Sequence, residues 1–240
     1  MALFQEAGMI SNILAFDTAT NACSVALQHD GKIFSRFEIA PREHSQLLLS
    51  MIQSVLSEAK IKLSDLNAIA FGSGPGSFMG VRLALGMAQG LALGLNIPVI
   101  PISTLQILAQ TAYQKIGQKN IIAGWDARLS SIYWGVYVCA ENNVMQVKIP
   151  DSLNLPSEID FELISKVNWL CAGNAWDVYS KELPRDFFHN KDQLIDVYPD
   201  AKSMCVIADL KYHLNEIISC EHAHPEYLRD HVANHTTRKS

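Results

Sequence analysis

The sequence lacks the features that mark secreted, zinc-binding and nucleic-acid-binding proteins. Its five cysteines are isolated, with no Cys-x-x-Cys pair, which is typical of reduced thiols and predicts a cytoplasmic protein. The formal net charge is −5 and no run of Lys or Arg precedes Arg238-Lys239, so the chain has no general electrostatic attraction to nucleic acid. Residues 1–12 have neither a basic start nor a long apolar core, so we interpret them as an N-terminal extension.

Acidic residues are absent from one long internal stretch, between Asp65 and Asp126. This stretch contains a glycine-rich loop, residues 72–80, that follows a short apolar run and precedes a helical pattern. A P-loop requires Lys after its last glycine, whereas Gly80 is followed by Val81 and Arg82. A dinucleotide-binding fold requires a carboxylate roughly 20 residues further on. The sequence therefore argues against both phosphate motifs.

What the chain does contain is the composition of an ordinary globular protein. It has 240 residues, of which 49% are hydrophobic and 18% are charged. A chain of this length can bury a sizeable core as one large domain or two smaller ones.

The apolar helix predicted over residues 81–95 has an unusual distribution of small residues. Gly86, Gly90 and Gly94 recur every four residues, and three alanines form a parallel ridge. Each interior glycine costs about 1 kcal/mol relative to alanine, so close packing must recover the difference. Because the helix is apolar all round, we predict that it is buried all round. Its glycine ridge contacts either another helix of the same domain or a second subunit.

Hydrophobic periodicity predicts the same order of elements twice. In each half a strand ending in Asp, at Asp17 and Asp126, is followed by two more strands, a helix, a strand and a helix. The fold class is therefore α/β, with duplicated ribonuclease H-like βββαβα units and a cleft between them. The predicted division is residues 13–103 for the first unit, 104–220 for the second and 221–240 for a C-terminal tail. The predicted helices span residues 46–59, 81–95, 104–116, 158–165 and 201–218.

Several motifs, in chain order, resemble the TsaB (YeaZ) family. They are residues 13–20, His44-Ser45, residues 74–82, Asp126-Ala127-Arg128 with Tyr133, and residues 225–230. The family usually has Thr where this chain has Met79. The resemblance covers nearly the whole chain and implies the fold of the actin, Hsp70 and sugar-kinase superfamily.

The resemblance implies a required, non-catalytic subunit of the complex that makes threonylcarbamoyladenosine (t6A) in tRNA. Its partners would be a TsaD-like transferase and a TsaE-like ATPase, with tRNA bound through the complex and no membrane. When alone, the chain would form a homodimer. Two alternatives remain open, both using the interdomain cleft: a free-standing peptidase of the M22 type and an ATP-dependent phosphotransferase.

In the family, two helices of the first unit contact TsaD, and they correspond to residues 46–59 and 81–95 here. The partner-binding residues that this implies are His44, Leu48, Met51, Ile52, Val55, Arg82, Leu83, Gly86, Met87, Gly90 and Gly94. No catalytic residue is predicted, since Ser77 lies outside a Gly-x-Ser-x-Gly motif and has no base near it in sequence.

Nucleotide binding by this chain alone is a separate question. Turn residues at the strand ends are the candidates, although Asp at such a position commonly serves the turn itself. The candidates are Asp17, Thr18, Thr20, Gly74, Gly76, Ser77 and Gly173. The resemblance implies ATP or ADP and a divalent metal for the complex, but no cofactor held by this chain.

The histidines raise the possibility of a metal site. His231 and His235 have a His-x-x-x-His spacing, and His222 and His224 lie close by in sequence. Their position near the C-terminus differs from that of the metal site in TsaD, so we predict no functional metal site.

Overall fold

The fold is built from two five-stranded sheets that share one strand order. The computed structural model describes residues 11–160, 168–183 and 194–229. Its elements are β1 (Ile13–Asp17), β2 (Ala22–His29), β3 (Lys32–Ile39), α1 (His44–Ala59), β4 (Ala68–Gly72), α2 (Phe78–Leu95), β5 (Val99–Ile102), α3 (Thr104–Ile116), β6 (Asn120–Asp126), β7 (Ile132–Cys139), β8 (Met145–Asn154), β9 (Leu170–Ala172), α4 (Ala175–Val178), β10 (Leu194–Ile195) and α5 (Ala201–His213).

The strand order is β3-β2-β1-β4-β5 in the first sheet and β8-β7-β6-β9-β10 in the second. In the first sheet β1 pairs antiparallel with β2 and parallel with β4. In the second sheet β6 pairs in the same way with β7 and β9. The predicted duplication of an α/β, ribonuclease H-like unit is therefore confirmed.

The first hairpin follows directly from its turn residues. Asp30 and Gly31 have φ angles of 51° and 72°, the left-handed backbone that a two-residue type I′ turn requires. This turn sets the register in which Ala22 lies opposite Ile39 and His29 opposite Lys32.

Helices cover both faces of the first sheet. On one face α1 and α2 pack together against β1, β2 and β4, where Leu48 and Ile52 join Val25 and Phe71 in one apolar core. On the opposite face α5 packs against β1 and β2. The outer sides of α1 and α2 form the surface of this half of the molecule.

The last helix of each unit packs on the sheet of the other unit. α3 follows β5 of the first sheet but packs against β6, β7 and β8. α5 follows β10 of the second sheet but packs against the first sheet. The predicted division at residues 103 and 104 therefore keeps α3 with its sheet, whereas it separates α5 from the sheet that α5 covers.

Two predicted helices differ from the structure. The helix predicted over residues 201–218 ends at His213, since Asn215 has a φ of 59° and Ile218 pairs with Val99 as an isolated bridge. For the helix predicted over residues 158–165, the structure has a short 3-10 turn, Pro156–Glu158, followed by two non-helical residues, and residues 161–167 lie outside the described chain.

α2 is long and apolar enough, by length and composition alone, to cross a membrane. One such helix is a weak indication, because core helices of α/β domains meet the same criteria. Here its alanine side is buried against the first sheet, as expected for a helix of this fold.

Candidate interaction face and interdomain cleft

The outward side of α2 carries small residues that nothing in the described chain covers. We call it the glycine face and define it as Met79, Arg82, Gly86, Gly90, Leu93 and Gly94. A Cβ atom built on any of these three glycines would have no neighbour within 4 Å. Met79 is 72% exposed and Leu93 is 68% exposed. The face is thus a shallow, largely apolar strip on the surface of the first half.

The prediction that this helix is buried all round is wrong. Only one side of α2 faces the core, and Ala84, Ala88 and Ala92 occupy it. With 3.6 residues per turn, the alanine ridge and the glycine ridge point in different directions, so one sheet cannot cover both. The alanines allow α2 to approach β4 closely, and the glycines are left at the surface.

Four of the predicted partner-binding residues of α1 are core residues, which corrects their assignment. Leu48, Met51, Ile52 and Val55 are all buried against the first sheet, because the apolar stripe of an amphipathic helix packs on its own domain. A docked protein cannot reach them. Leu49, which is 48% exposed, is the large apolar residue of α1 on the outer surface.

Of the remaining predicted partner residues, Arg82, Gly86, Gly90 and Gly94 belong to the glycine face. Leu83 and Met87 are half-buried and pack along the edge of the apolar core. His44 is the first residue of α1, and it is half-buried. Its Nε2 atom is buried and has no hydrogen-bond partner among the described residues.

A cation and two aromatic rings meet at the N-terminal end of α2. The guanidinium carbon of Arg82 lies 3.8 Å from the ring centroid of Phe78 and 5.7 Å from that of Tyr227. The two rings stack with their centroids 5.7 Å apart. Arg82 Nε also donates a hydrogen bond of 2.7 Å to the Tyr227 hydroxyl. The side chain of Arg82 is therefore held in one position at the surface.

Tyr227 belongs to a C-terminal segment, residues 219–229, that lies along α2 and then crosses to the second half. Gln89 Nε2 donates to the carbonyls of Cys220 and Ala223. Further along the segment, the Glu226 N–H donates to the Ser73 carbonyl of the glycine-rich loop. Arg229 Nη2 finally donates to the Ala127 carbonyl at 2.7 Å. We call this segment the strap, since it ties α2 to the second half.

A cavity of about 430 Å³ lies between the two halves, beneath the strap. Thr20, Gly76 and Ser77 line it from the first half, together with Phe78. The second half and the strap contribute further lining residues, among them Trp125, Asp126, Arg128, Tyr133, Asn174, Glu226, Tyr227 and Arg229. The structure thus brings three of the seven nucleotide candidates to one cavity. Asp17, Thr18, Gly74 and Gly173 are not part of its lining.

The polar groups of the β1–β2 turn are already engaged within the chain. Asp17 accepts hydrogen bonds from the Ala19 N–H and the Thr104 hydroxyl, and its burial raises its pKa to about 6. Thr18 Oγ1 donates to the Gly80 carbonyl, and Thr20 Oγ1 accepts from the Ala22 N–H. Asp17 and Thr18 would each have to exchange an internal bond to bind a nucleoside triphosphate, whereas the Thr20 hydroxyl only accepts its internal bond and can still donate.

The glycine-rich loop is packed against that same turn. A Cβ atom on Gly76 would lie 2.4 Å from the Ala19 carbonyl oxygen, and one on Gly80 would lie 2.0 Å from that of Thr18. The Ser77 N–H donates to the Ala19 carbonyl at 2.7 Å. The glycines of this loop therefore serve a close contact between two backbone segments, where a P-loop would leave space for phosphate.

Asp126 and Arg128 form an ion pair at the wall of the cavity. Arg128 Nη1 lies 2.9 Å from Asp126 Oδ2, and the Tyr179 hydroxyl donates to Asp126 Oδ1 at 2.8 Å. Burial and the neighbouring carboxylate raise the pKa of Tyr179 to about 12. Asn174 accepts from the Asp126 N–H. Gly173 lies behind this wall, since its Cβ atom would be 2.2 Å from the Gly124 carbonyl oxygen.

A second pocket, of about 510 Å³, lies on the other side of the strap. At its wall the Asp151 carboxylate accepts hydrogen bonds from the Ser103 and Tyr137 hydroxyls. Burial of the Glu226 carboxyl, together with the negative charge of Asp151, raises the pKa of Glu226 to about 7. Ser103 also caps α3 by accepting from the Leu105 N–H, so this cluster joins the first half to β7 and β8.

The described residues contain no group of three or more His, Cys, Asp or Glu side chains arranged to hold a metal ion. His222 Nδ1 lies 2.9 Å from the Ser219 hydroxyl within the strap, and His224 lines the second pocket. His231 and His235 lie outside the described residues.

Sequence reasoning missed the strap as a structural element. Residues 225–230 carried the resemblance to the family but were given no role. Arg82 and Tyr227 are 145 positions apart, and no periodicity in the sequence connects two such residues. The available signal was Arg82 itself, the only charged residue in an apolar helix.

Comparison with known proteins identifies the family. A family model described as TsaD, tRNA N6-adenosine threonylcarbamoyltransferase, matches residues 37–237. The chain is 40% identical to the tRNA threonylcarbamoyladenosine biosynthesis protein TsaB of Escherichia coli K12, over 92% of this chain and 96% of that protein. It is 35% identical to the protein of the same name from Haemophilus influenzae, over 92% of this chain and 94% of that protein.

A solved structure agrees with these sequence relatives. The structure of YeaZ from Pseudomonas aeruginosa superimposes with a TM-score of 0.85 at 38% identity, covering 91% of this chain and all of that one. The chain therefore belongs to the TsaB (YeaZ) family.

Proposed function

We propose that this chain is a subunit of a tRNA-modifying assembly that makes t6A, and that it acts by binding a TsaD-type transferase. The binding surface is the glycine face of α2 with the adjoining outer side of α1. A TsaE-type ATPase joins the pair, and tRNA is bound by the complex as a whole. The chain works in the cytoplasm and performs no chemistry alone.

The observation that carries this proposal is the exposure of the three glycines. In an isolated chain they cost about 3 kcal/mol relative to alanine, and no packing within the described chain recovers that cost. A second helix crossing at Gly90 would find no side chain between the two backbones, which allows an unusually short interaxial distance. The cost is then recovered on assembly.

The family relationship supports a partner of related fold. The TsaD family model matches residues 37–237, which include α1 and α2. A TsaD-type protein is therefore expected to have counterparts of these two helices. Two such helix pairs can pack face to face about a pseudo-two-fold axis, as in isologous dimers. The same geometry gives a homodimer when this chain is alone.

A non-catalytic role is supported by the engagement of the candidate catalytic groups. Ser77 serves as the N-cap of α2, and the Asp17 carboxylate is buried in hydrogen bonds. The cleft alternatives, a peptidase and a phosphotransferase, both require an available nucleophile or phosphate site in this chain. Titration calorimetry with Mg-ATP on the isolated chain tests the second, and saturable heat would support it.

The proposal is tested by co-purification with the TsaD-type protein of the same organism. We expect the unmodified chain to retain that protein in stoichiometric amount and Gly90→Leu to lose it, because the leucine separates the two helices. Lys115→Leu is the matched control, since it places the same side chain at an exposed position of α3 in the second half. It should retain the partner.

The fold of each variant is checked by thermal unfolding. The Cβ position at Gly90 is open in the single chain, so at concentrations where the chain is monomeric Gly90→Leu should raise the free energy of unfolding by about 0.5–1 kcal/mol. Normal retention of the TsaD-type protein by folded Gly90→Leu would contradict the proposed surface. Loss of retention by both leucine variants would show that the effect is not specific to α2.

A further inference from the structure

Arg82 is the single charged side chain of α2 and lies on the glycine face. Phe78 and Tyr227 flank its guanidinium, and Tyr227 accepts from its Nε. No carboxylate of the described residues pairs with it. Its two Nη groups are thus left at the surface without a charged partner, one helical turn from Gly86.

An arginine held in this way is prepared for a particular kind of ligand. The planar Nη pair matches the two oxygens of a carboxylate or a phosphate. Because the rings and the Tyr227 hydroxyl already restrict the side chain, binding costs little further conformational entropy. The ligand expected to bind the Nη groups of Arg82 is therefore a single carboxylate or phosphate group.

The surroundings of Arg82 favour a protein carboxylate over an RNA phosphate. RNA binding relies on several cations that contact successive phosphates, whereas the rest of the glycine face is uncharged and the chain carries a net charge of −5. The two arginines at the far end of the strap are engaged, Arg128 with Asp126 and Arg229 with the Ala127 carbonyl. A small apolar strip with one cation at its end fits a protein helix that carries one acidic residue.

We propose that Arg82, held by Phe78 and Tyr227, binds the carboxylate of an Asp or Glu side chain on the TsaD-type partner. This inference rests on the proposed function and specifies the chemistry of its contact. Tyr227 acts as a positioning residue, since it orients Arg82 and leaves the Nη groups free. The strap thereby links the partner surface to the second half of the chain.

The test is the affinity between the full chain and the purified TsaD-type protein, measured by calorimetry at two salt concentrations. Arg82→Gln keeps a polar side chain of similar reach but removes the charge, and should weaken binding about 10- to 100-fold. Arg82→Lys should recover only a small part of this loss, because an ammonium lacks the planar pair of donors. Lys119→Ala removes one exposed charge of the second half and should bind normally.

Salt dependence separates charge from positioning. Added salt should weaken binding of the unmodified chain more than that of Arg82→Gln. Tyr227→Phe removes the acceptor for Arg82 Nε but keeps the charge, so it should bind several-fold more weakly and retain the full salt dependence.

Charge reversal identifies the carboxylate on the partner. Arg82→Glu should abolish binding, and changing the paired Asp or Glu of the partner to Lys should restore it.

Gly90→Leu makes the outcomes distinguishable. If it abolishes binding while Arg82→Gln binds as tightly as the unmodified chain, the Arg82 contact is refuted and the proposed surface remains. If Gly90→Leu also binds normally, the proposed surface itself fails. If Arg82→Gln keeps its affinity for the protein but the complex loses tRNA, Arg82 binds phosphate and the carboxylate contact is refuted.

Discussion

The two halves share a strand order and differ in the helices that follow the strands. In the first half, β4 leads into the 18-residue α2, whereas the corresponding β9 leads into the four-residue α4. The 16-residue α1 follows β3, while the described residues after β8 form only a short 3-10 turn, Pro156–Glu158. Duplication thus supplies two similar frameworks, and the broad exposed helical surface in the described chain belongs to the first.

The aspartates that end the central strands show a second difference. β1 pairs with β4 as far as Phe16, so Asp17 lies one residue beyond the pairing and is buried. β6 pairs with β9 only as far as Ala123, so Asp126 lies three residues beyond and reaches the cavity. The extent of strand pairing therefore decides which carboxylate is internal and which faces the cleft.

The largest expected effect concerns the glycine beside Asp17. A Cβ atom on Gly72 would lie only 1.7 Å from Asp17 Oδ2. Gly72→Ala should therefore lower the free energy of unfolding by about 3 kcal/mol or more. Adding Asp17→Ala should recover at least half of this loss in denaturant unfolding, because it removes the colliding carboxyl. If the free-energy changes of Gly72→Ala and Asp17→Ala simply add in the double variant, the collision between the Cβ atom and the carboxyl is not the cause of the loss.

The next effect is the pH dependence of stability that Asp17, in the first half, contributes. Asp17 has a folded pKa of about 6 against an ordinary 3.8, so the folded state binds its proton more tightly than the unfolded state does. The contribution of Asp17 to the free energy of unfolding is therefore largest at low pH and decreases as pH rises from about 4 to 6. Asp17→Asn should remove this decrease, a difference of about 2–3 kcal/mol between the two pH values. Denaturant unfolding at the two pH values provides the measurement, and an Asp17→Asn variant that keeps the full pH dependence would contradict the assignment.

Alanine at the exposed glycines should have a smaller effect of opposite sign. Gly90→Ala and Gly94→Ala should each raise the free energy of unfolding of the isolated chain by about 0.5–1 kcal/mol, since the helix gains propensity and meets no obstacle. Thermal unfolding of the monomeric chain provides the measurement. A destabilising effect would mean that the glycines already contact something within the chain.

The smallest expected effect is loss of the ion pair in the second half. The Arg128 side chain is 80% exposed although that of Asp126 is only 5% exposed, and asparagine keeps the shape and one acceptor oxygen, so Asp126→Asn should cost about 1 kcal/mol or less. The asparagine oxygen can still accept from the Tyr179 hydroxyl. A loss comparable to that of Gly72→Ala would show that this pair is essential to the fold.

Local patterns predicted most of the fold and part of the site. The Asp30-Gly31 turn and the periodicity of α1 depend on near neighbours in sequence, and both were predicted correctly. The exposure of the glycine side of α2 was not predicted, because a helix that is apolar on all sides does not indicate whether the sheet will cover its alanine ridge or its glycine ridge. The packing of α5 on the first sheet depends on long-range contacts that periodicity does not report.

The same limit applies to Arg82. Its isolation in an apolar helix marked it as unusual, but its orientation depends on Tyr227, which follows at a separation of 145 residues. A contact of this kind becomes visible only when the chain has folded.

The most direct measurement of the central claim is hydroxyl-radical footprinting of the chain, first as a monomer at low concentration and then bound to the proposed TsaD-type partner. Met79 and Leu93 report on the glycine face, whereas Leu129 and Val178, which are 80% and 54% exposed, report on the second half. We predict that binding protects Met79 and Leu93 and leaves the other two reactive. Protection of Leu129 and Val178 with no change at Met79 and Leu93 would contradict the claim that the first half binds the partner.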